Sequence, residues 1–163
     1  MKERIRHLEY FKDIGYIIAS GGLIGLPGQT FEAVIDDFMF AKELGCDMYS
    51  FGPFIPHPNT PLSGHSMPGA EYVLKALSVL RLIDPFAKIL VTTALESLNS
   101  QARKQALLSG ANSIMLDLTP KDYTRLYDIY PHRATVDISV EDQVANALQL
   151  LKDIGRAPTD LGI

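Results

Sequence analysis

The chain has 163 residues, of which 47% are hydrophobic and 21% charged, and a formal net charge of −4 at pH 7. This length and hydrophobic content suit one domain with a substantial core, and residues 1–163 are taken as that domain. The acidic balance and the lack of a basic stripe argue against a nucleic-acid partner. The single cysteine, Cys46, excludes an internal disulfide and indicates a reducing compartment.

The first residues are charged and do not resemble a signal peptide. An apolar uncharged stretch, residues 14–31, contains five glycines and one proline, which argues against a membrane-spanning helix. We therefore expect a soluble, cytoplasmic protein without a membrane partner.

The first part of the chain alternates amphipathic helices with short apolar strands. Apolar residues at helical spacing predict helices over residues 2–14 and 31–44, and Thr30 is a suitable N-cap for the second. Strands are predicted over residues 16–19 and 47–51. The glycine-rich run between the first strand and the second helix is interpreted as a strand-to-helix turn.

The rest of the chain continues this alternation. Helices are predicted over residues 70–83, 99–109 and 140–154, and strands over residues 88–93 and 112–116. The last helix has a start like a capping box, with Ser139 followed three residues later by Asp142. Strands separated by single helices imply right-handed crossovers and a parallel sheet. The predicted fold is α/β, a partial TIM-type (β/α)8 barrel made of about its C-terminal four βα units.

Half of such a barrel has two open edges. A sheet that does not close leaves both edge strands able to pair with another chain. The chain also begins in a helix without a preceding strand. We therefore expect that an N-terminal half is missing, and that an edge-strand homodimer is one way to cover the open edges.

A proline-rich segment separates the second predicted strand from the third predicted helix. Residues 52–68 contain five of the ten prolines, and loops of this length are usually functional or disordered. The segment leaves the carboxyl end of a strand, which is the active face of α/β barrels. Two interpretations stay open: a shaped loop at a site, or a surface cover without chemistry.

The glycine run over residues 21–30 fits neither common phosphate-binding motif. Gln29 stands where a Walker A loop has its lysine, and a dinucleotide fingerprint would need glycine instead of Leu23. A tight turn without a ligand, and a close approach of the backbone to an adenine or a sugar, both remain open.

Other polar residues give weaker signals. The four histidines (His7, His57, His65 and His132) lack metal-ligand spacing, and Cys46 is interpreted as a buried core thiol.

Thr92 and Thr93 end a predicted strand, where hydroxyls can face a ligand. Asp117 is either a cap or a polar group of a site. The helical spacing of Tyr123, Tyr127 and Tyr130 is typical of a packed stripe.

Several of these segments, taken in order, resemble one known family. They are Gly22–Thr30, Gly52–Pro61, Thr92–Ala94, Gly110–Asn112 and Leu118–Pro120, followed by Tyr123, Tyr127 and Tyr130-Pro131. Together they resemble the C-terminal half of the radical S-adenosylmethionine maturases of FeFe hydrogenase, the HydE type, which are related to biotin synthase. The resemblance covers nearly the whole chain, and the proline-rich segment is its most specific part.

The resemblance implies a closed barrel that carries a [4Fe-4S] cluster on a three-cysteine loop. In that family the cluster reduces S-adenosylmethionine, and the resulting radical attacks a small-molecule substrate inside the barrel. Residues that match the S-adenosylmethionine contacts of the family are Arg4, for the carboxylate, and Gly21, Gly22, Leu23, Ile24, Gly25, Phe54 and Ile55, for the adenosyl group. Those that match the interior substrate or anion pocket are Thr92, Thr93 and Met115.

Two differences from the family matter. The chain has no Cys-x3-Cys-x2-Cys motif, so it does not ligate the cluster itself, and no metal ligand is predicted in it. Family members commonly have Pro-Asn after the pocket methionine, whereas this chain has Leu116-Asp117. The difference places a carboxylate near the pocket.

The first hypothesis is therefore a C-terminal part of a radical enzyme for maturation of the hydrogenase H-cluster, inactive without its other half. The alternatives are part of a biotin-synthase-like radical enzyme, or a non-catalytic half-barrel that binds a small molecule or a partner.

Overall fold

The computed structural model describes residues 2–124, 126, 129–131 and 137–159. Of the residues considered above, Tyr127 and His132 lie outside this described part. The helices are α1 (Lys2–Asp13), α2 (Phe31–Glu43), α3 (Ala70–Ile83), α4 (Thr93–Leu98), α5 (Ala102–Leu108), α6 (Lys121–Thr124) and α7 (Val140–Asp153). The strands are β1 (Ala19–Ile24), β2 (Met48–Pro53), β3 (Lys88–Val91) and β4 (Ser113–Ile114).

The four strands form one parallel sheet in chain order, β1-β2-β3-β4. Each strand is joined to the next through at least one helix. This arrangement confirms the predicted α/β class and the series of βα units typical of a barrel. Within the described residues, none of the helices has the length and apolar content needed to cross a bilayer.

The core lies between the helices and one face of the sheet. Strand side chains of this face, such as Tyr49 and Phe51 on β2, are buried with residues of α2 and α3 in one hydrophobic cluster. The rings of Phe38 and Phe51 meet edge to face with centroids 4.6 Å apart. We call the opposite face of the sheet, which carries Gly21 and Gly52, the inner face.

The predicted helix caps are confirmed. Thr30 accepts a hydrogen bond from the amide of Ala33 at 3.2 Å, and Ser139 accepts one from the amide of Asp142 at 3.0 Å. Gly45 follows the end of α2 with φ of +70°, which glycine adopts without strain. These local signals depend on neighbouring residues alone, so the sequence predicts them well.

The first strand was predicted too early in the chain. β1 comprises Ala19–Ile24, so two glycines that were expected in the turn lie inside the strand. The reason is the close approach of β1 to β2: a Cβ atom on Gly21 would overlap the carbonyl oxygen of Ser50. Glycine at such a contact serves strand packing, although it is a poor strand former in general.

The predicted helix over residues 99–109 is also incomplete. β3 ends at Val91, and α4 follows it directly with Thr93 as its first residue. The side chain of Asn99 accepts a hydrogen bond from the amide of Gln101 at 2.9 Å and so forms a turn between α4 and α5. The connection after β3 therefore contains two short helices instead of one.

Candidate functional site

Four polypeptide segments meet where the parallel strands end. β1, β2, β3 and β4 end at Ile24, Pro53, Val91 and Ile114. The next residue in each case is a predicted site residue: Gly25, Phe54, Thr92 and Met115, respectively. The carboxyl ends of parallel strands lie at one edge of a sheet, so the structure brings these residues to the same edge. We call this edge, with Gly25, Phe54, Thr92 and Met115, the strand-end edge.

Thr92 presents a hydroxyl without a partner to this edge. Its side chain is 9% exposed, and Oγ1 forms no hydrogen bond within the described part of the chain. The register of β2 and β3 places Thr92 beside Gly52, where a Cβ atom would lie 2.6 Å from that hydroxyl oxygen. A buried hydroxyl without a partner is unfavourable, and a polar ligand at the strand ends would remove this cost.

Thr93 differs from Thr92 because its hydroxyl is engaged. Oγ1 of Thr93 lies 3.0 Å from the hydroxyl of Tyr130, which is 8% exposed. The two threonines that the sequence presents as a pair thus have different roles. Tyr130 is buried, but Tyr123 is 56% exposed, so these two tyrosines do not form the expected packed stripe.

The turn after β1 is held by the side chain of Gln29. Its Oε1 accepts hydrogen bonds from the amides of Gly25, at 2.7 Å, and Leu26, at 3.2 Å. Its Nε2 donates to the carbonyl of Leu23 at 3.0 Å. These two backbone donors are therefore already used, so a ligand here would pack against the strand without taking them.

The proline-rich segment packs over the same turn. Gly25 has φ of +88°, and a Cβ atom there would lie 2.7 Å from the ring of Pro68. Internal hydrogen bonds such as the one from the amide of Thr60 to the carbonyl of His57, at 3.1 Å, shape the segment. This supports the interpretation of a shaped loop beside the strand ends.

Phe54 and Ile55 continue from β2 into this loop. The amide of Phe54 donates to the carbonyl of Ile24 at 2.8 Å and extends the pairing of β1 and β2 by one step. Phe54 is 6% exposed, whereas Ile55 is half-buried. Of the two, Ile55 offers more apolar surface to a neighbouring group.

Met115 and Asp117 follow β4. Met115 is 37% exposed, and its amide donates to the carbonyl of Val91 at 3.1 Å. Oδ1 of Asp117 accepts from the amide of Thr119 at 3.1 Å, which is an Asx turn. The side chain of Asp117 therefore shapes a turn between β4 and α6 and does not cap a helix.

Gln143 is a residue of this edge that sequence reasoning missed. It is 4% exposed on α7, and its amide bonds both the amide and the carbonyl of Asp117 at 3.0 Å. The only signal in the sequence was a glutamine on the apolar side of a helix.

Arg4 is not brought to the strand ends by this chain. It is exposed in the first turn of α1. No hydrogen bond or ion pair between described residues joins it to the other predicted contacts. Its matching to a ligand carboxylate therefore stays a prediction.

Cys46 is a buried thiol just before β2, 7% exposed. Burial raises the pKa of this thiol, against a smaller lowering by a hydrogen bond from Ser20. This fits the interpretation as a core residue. A three-cysteine cluster site does not fit the residues present, and the described residues include no group of three or more His, Cys, Asp or Glu that could hold a metal ion.

Residues 50–156 match the family model of the biotin and thiamin synthesis associated domain, abbreviated BATS. The chain belongs to this family. The match begins in β2 and ends just after α7, so it includes the proline-rich segment and three of the four strand ends.

Relatives of this BATS-domain chain include the "[FeFe] hydrogenase maturase subunit HydE" of Thermotoga maritima. It is 35% identical over 157 residues, which are 96% of this chain and 45% of the relative. "Biotin synthase 2" of Corynebacterium diphtheriae is 32% identical over 68% of this chain and 33% of its own length. The crystal structure of methylornithine synthase (PylB) has a TM-score of 0.74 and 25% identity, covering 96% of this chain and 45% of that protein.

These comparisons confirm the predicted radical S-adenosylmethionine relationship and the barrel-type fold. The chain spans less than half the length of these three proteins.

Proposed function

We propose that this chain forms part of a radical S-adenosylmethionine enzyme of the FeFe-hydrogenase maturase type, located in the cytoplasm. The observation that carries the proposal is the similarity to the Thermotoga maturase, which extends over 96% of the chain. The similarity to biotin synthase 2 covers a smaller part, 68%. The activity of the whole enzyme would then depend on segments beyond these 163 residues.

In this proposal the strand-end edge binds S-adenosylmethionine. Gly21 and Gly22 of β1 and Gly25 after it would contact the adenosyl group through their backbone. The directions in which side chains would point are taken up by Ser50, Phe51 and Pro68. Leu23, which is exposed, and Ile55 would supply apolar surface next to it. Ile24 is fully buried in the core and Phe54 nearly so, and these two would contact the group mainly through their backbone. Arg4 would bind the carboxylate end. When bound, this cofactor supplies the radical chemistry of the family, while the protein orients it and excludes water.

The inner pocket would take the small-molecule substrate or an anion. The hydroxyl of Thr92, buried and without a partner among the described residues, is the feature that supports this part. Thr93 and Met115 lie next to the same strand ends, and Tyr130 holds the hydroxyl of Thr93. Thr92 would therefore donate or accept the hydrogen bond that selects the ligand.

The iron–sulfur cluster would be held by an N-terminal half that this chain does not supply. A single buried cysteine with a raised pKa is unsuited to ligate a cluster. The alignment with only 45% of the maturase length agrees with a missing half. The chain alone should accordingly be inactive.

The test is a chimera in which this chain replaces the matched segment of the Thermotoga maturase. We expect the reconstituted chimera to cleave S-adenosylmethionine reductively, and the purified chain alone to show neither cluster absorbance nor cleavage. Circular dichroism would verify that both proteins are folded. Cleavage by the chain alone, or a folded chimera that holds a cluster but does not bind S-adenosylmethionine, would overturn the proposal.

A second candidate is a half-barrel that pairs with a copy of itself. It is favoured by the open sheet, since β1 and β4 each pair with one strand within the described residues. Sedimentation distinguishes the two candidates: a stable dimer that binds S-adenosylmethionine without catalysis favours the binding module. A biotin-synthase-like enzyme is distinguished by assaying the chimera for biotin formation.

A further inference from the structure

The residues after β4 are held by a buried side chain on α7. β4 has only two residues, Ser113 and Ile114, and its last backbone bond to β3 is the one from the amide of Met115 to Val91. Beyond that point Leu116 and Asp117 leave the sheet. Backbone groups that leave a sheet while partly buried need other partners.

Gln143 provides those partners for Asp117. Its Oε1 accepts from the Asp117 amide, and its Nε2 donates to the Asp117 carbonyl, both at 3.0 Å. Nε2 also lies 3.3 Å from the carbonyl of Ile138, so both ends of the amide are used. The Gln143 side chain thus bonds both the backbone donor and the backbone acceptor of Asp117, as a neighbouring strand would. We call these two hydrogen bonds the Gln143 clamp.

We infer that Gln143 is a positioning residue: it holds in place Met115 and Asp117, which follow β4 beside the proposed substrate pocket. Met115 lies between two fixed points: its own bond to Val91, and the bonds of Asp117 to Gln143 two residues later. Oδ1 of Asp117 accepts from Thr119, so the direction of the carboxyl group is tied to the same backbone. A role of Met115 in binding a substrate rests on the proposed function, whereas the fixing of Met115 and Asp117 by Gln143 does not.

The position of Gln143 on α7 makes this role specific. The other glutamine of the helix, Gln149, is exposed and bonds Asp153 one turn later, at 2.7 Å. Gln143 is instead buried at 4% exposure, in a helix that also packs Leu150 and Leu151 against the core. A buried amide with both ends bonded is costly to replace, because its partners lose their bonds as well.

The experiment compares Gln143→Met with Gln149→Met by NMR in the folded chain. We expect Gln143→Met to accelerate hydrogen exchange of the Asp117 amide on the order of tenfold or more. We also expect it to shift and broaden the methyl signal of Met115. Gln149→Met should change neither signal.

These readouts separate positioning from stabilisation alone. If Gln143 only stabilised the fold, a lower melting temperature would come with an unchanged Met115 signal in the native state, and that result would overturn the inference. Should Gln143→Met not fold, Gln143→Glu keeps the acceptor for the Asp117 amide and removes the donor to its carbonyl. That variant should still shift Met115, and an unchanged spectrum would equally refute the clamp. No cofactor or substrate is needed, so failure of the proposed function would leave this test intact.

Discussion

Gly52 and Thr92 are in contact across β2 and β3, because the absence of a side chain at Gly52 leaves the space that the Thr92 hydroxyl occupies. A Cβ atom at residue 52 would lie 2.6 Å from Oγ1 and 3.1 Å from Cγ2 of Thr92. The glycine therefore determines where the one partnerless hydroxyl of the described strand ends is held. The position of the Thr92 hydroxyl after β3 thus depends on the missing side chain of Gly52 on β2.

The first prediction concerns this pair. We expect Gly52→Ala to lower the free energy of unfolding by about 1–3 kcal/mol, because the new methyl group overpacks a closed contact. Adding Thr92→Ala should recover part of the loss, since it removes the two atoms nearest to the new methyl group. Urea unfolding of the two single variants and the double variant gives the coupling energy.

Gly64→Ala is the matched control for that series. Gly64 has open space around it, and its substitution should change stability by less than about 0.5 kcal/mol. Additive effects of Gly52→Ala and Thr92→Ala would contradict the contact.

The second prediction uses the different surroundings of the two threonines. Thr92→Val should be neutral or stabilise the chain by up to about 1 kcal/mol, because it removes a buried hydroxyl that has no partner among the described residues. Thr93→Val should instead cost about 0.5–1.5 kcal/mol, because it removes the bond to Tyr130. Thermal unfolding of both variants in the absence of any ligand measures the difference, and equal effects would refute the assignment.

The helix–strand alternation and the helix caps were predictable because they depend on local patterns. Thr30, Gly45 and Ser139 behave in the structure as their residue types predict. The start of β1 was not predictable. The glycines there resemble a turn until β2 is placed beside them, and only the overlap at Ser50 explains why they form a strand.

The candidate site was predictable in position but not in detail. Strand ends such as Thr92 and Met115 follow from the parallel topology alone. The bond of Thr93 to Tyr130 and the clamp of Gln143 on Asp117 join residues 37 and 26 positions apart. No periodic pattern reports on such distant pairs, so they appear only after the chain is folded.

The third prediction concerns the turn after β1. Gly25 and Gly28 both have positive φ, +88° and +77°, so alanine at either position should cost about 1–2 kcal/mol from backbone strain. Only Gly25 faces a neighbour, because a Cβ atom there would lie 2.7 Å from the ring of Pro68, whereas one on Gly28 would meet open space. We therefore expect Gly25→Ala to be more destabilising than Gly28→Ala by about 1 kcal/mol or more.

Proteolysis gives a local readout of the same contact. If Pro68 holds the proline-rich segment against the turn, Gly25→Ala should increase cleavage within residues 54–69, whereas Gly28→Ala should not. Equal cleavage in the two variants would show that the segment does not depend on this contact.

The fourth prediction concerns Glu96 and Arg103, which form an ion pair between α4 and α5 with side-chain exposures of 17% and 10%. Burial raises the pKa of Glu96 above its ordinary value, although Arg103 partly opposes the increase. The folded state thus holds this proton more tightly than the unfolded chain does. Stability from this group is present at low pH and is lost as pH rises from the unfolded pKa through the folded one.

With Glu96→Gln, the free energy of unfolding should therefore fall less steeply as the pH rises above about 4.5, the pKa of this group in the unfolded chain.

With Arg103→Met, the free energy of unfolding should fall more steeply with pH. Burial of the Glu96 carboxylate is then unopposed, so its pKa rises further. We expect Arg103→Met to cost about 1–3 kcal/mol near pH 7 and less near pH 5, where Glu96 can take up a proton. Urea unfolding at both pH values measures this, with Lys104→Met, an exposed neighbour on α5, as the control. A pH-independent loss in Arg103→Met would mean that the arginine acts through packing instead of through the charge of Glu96.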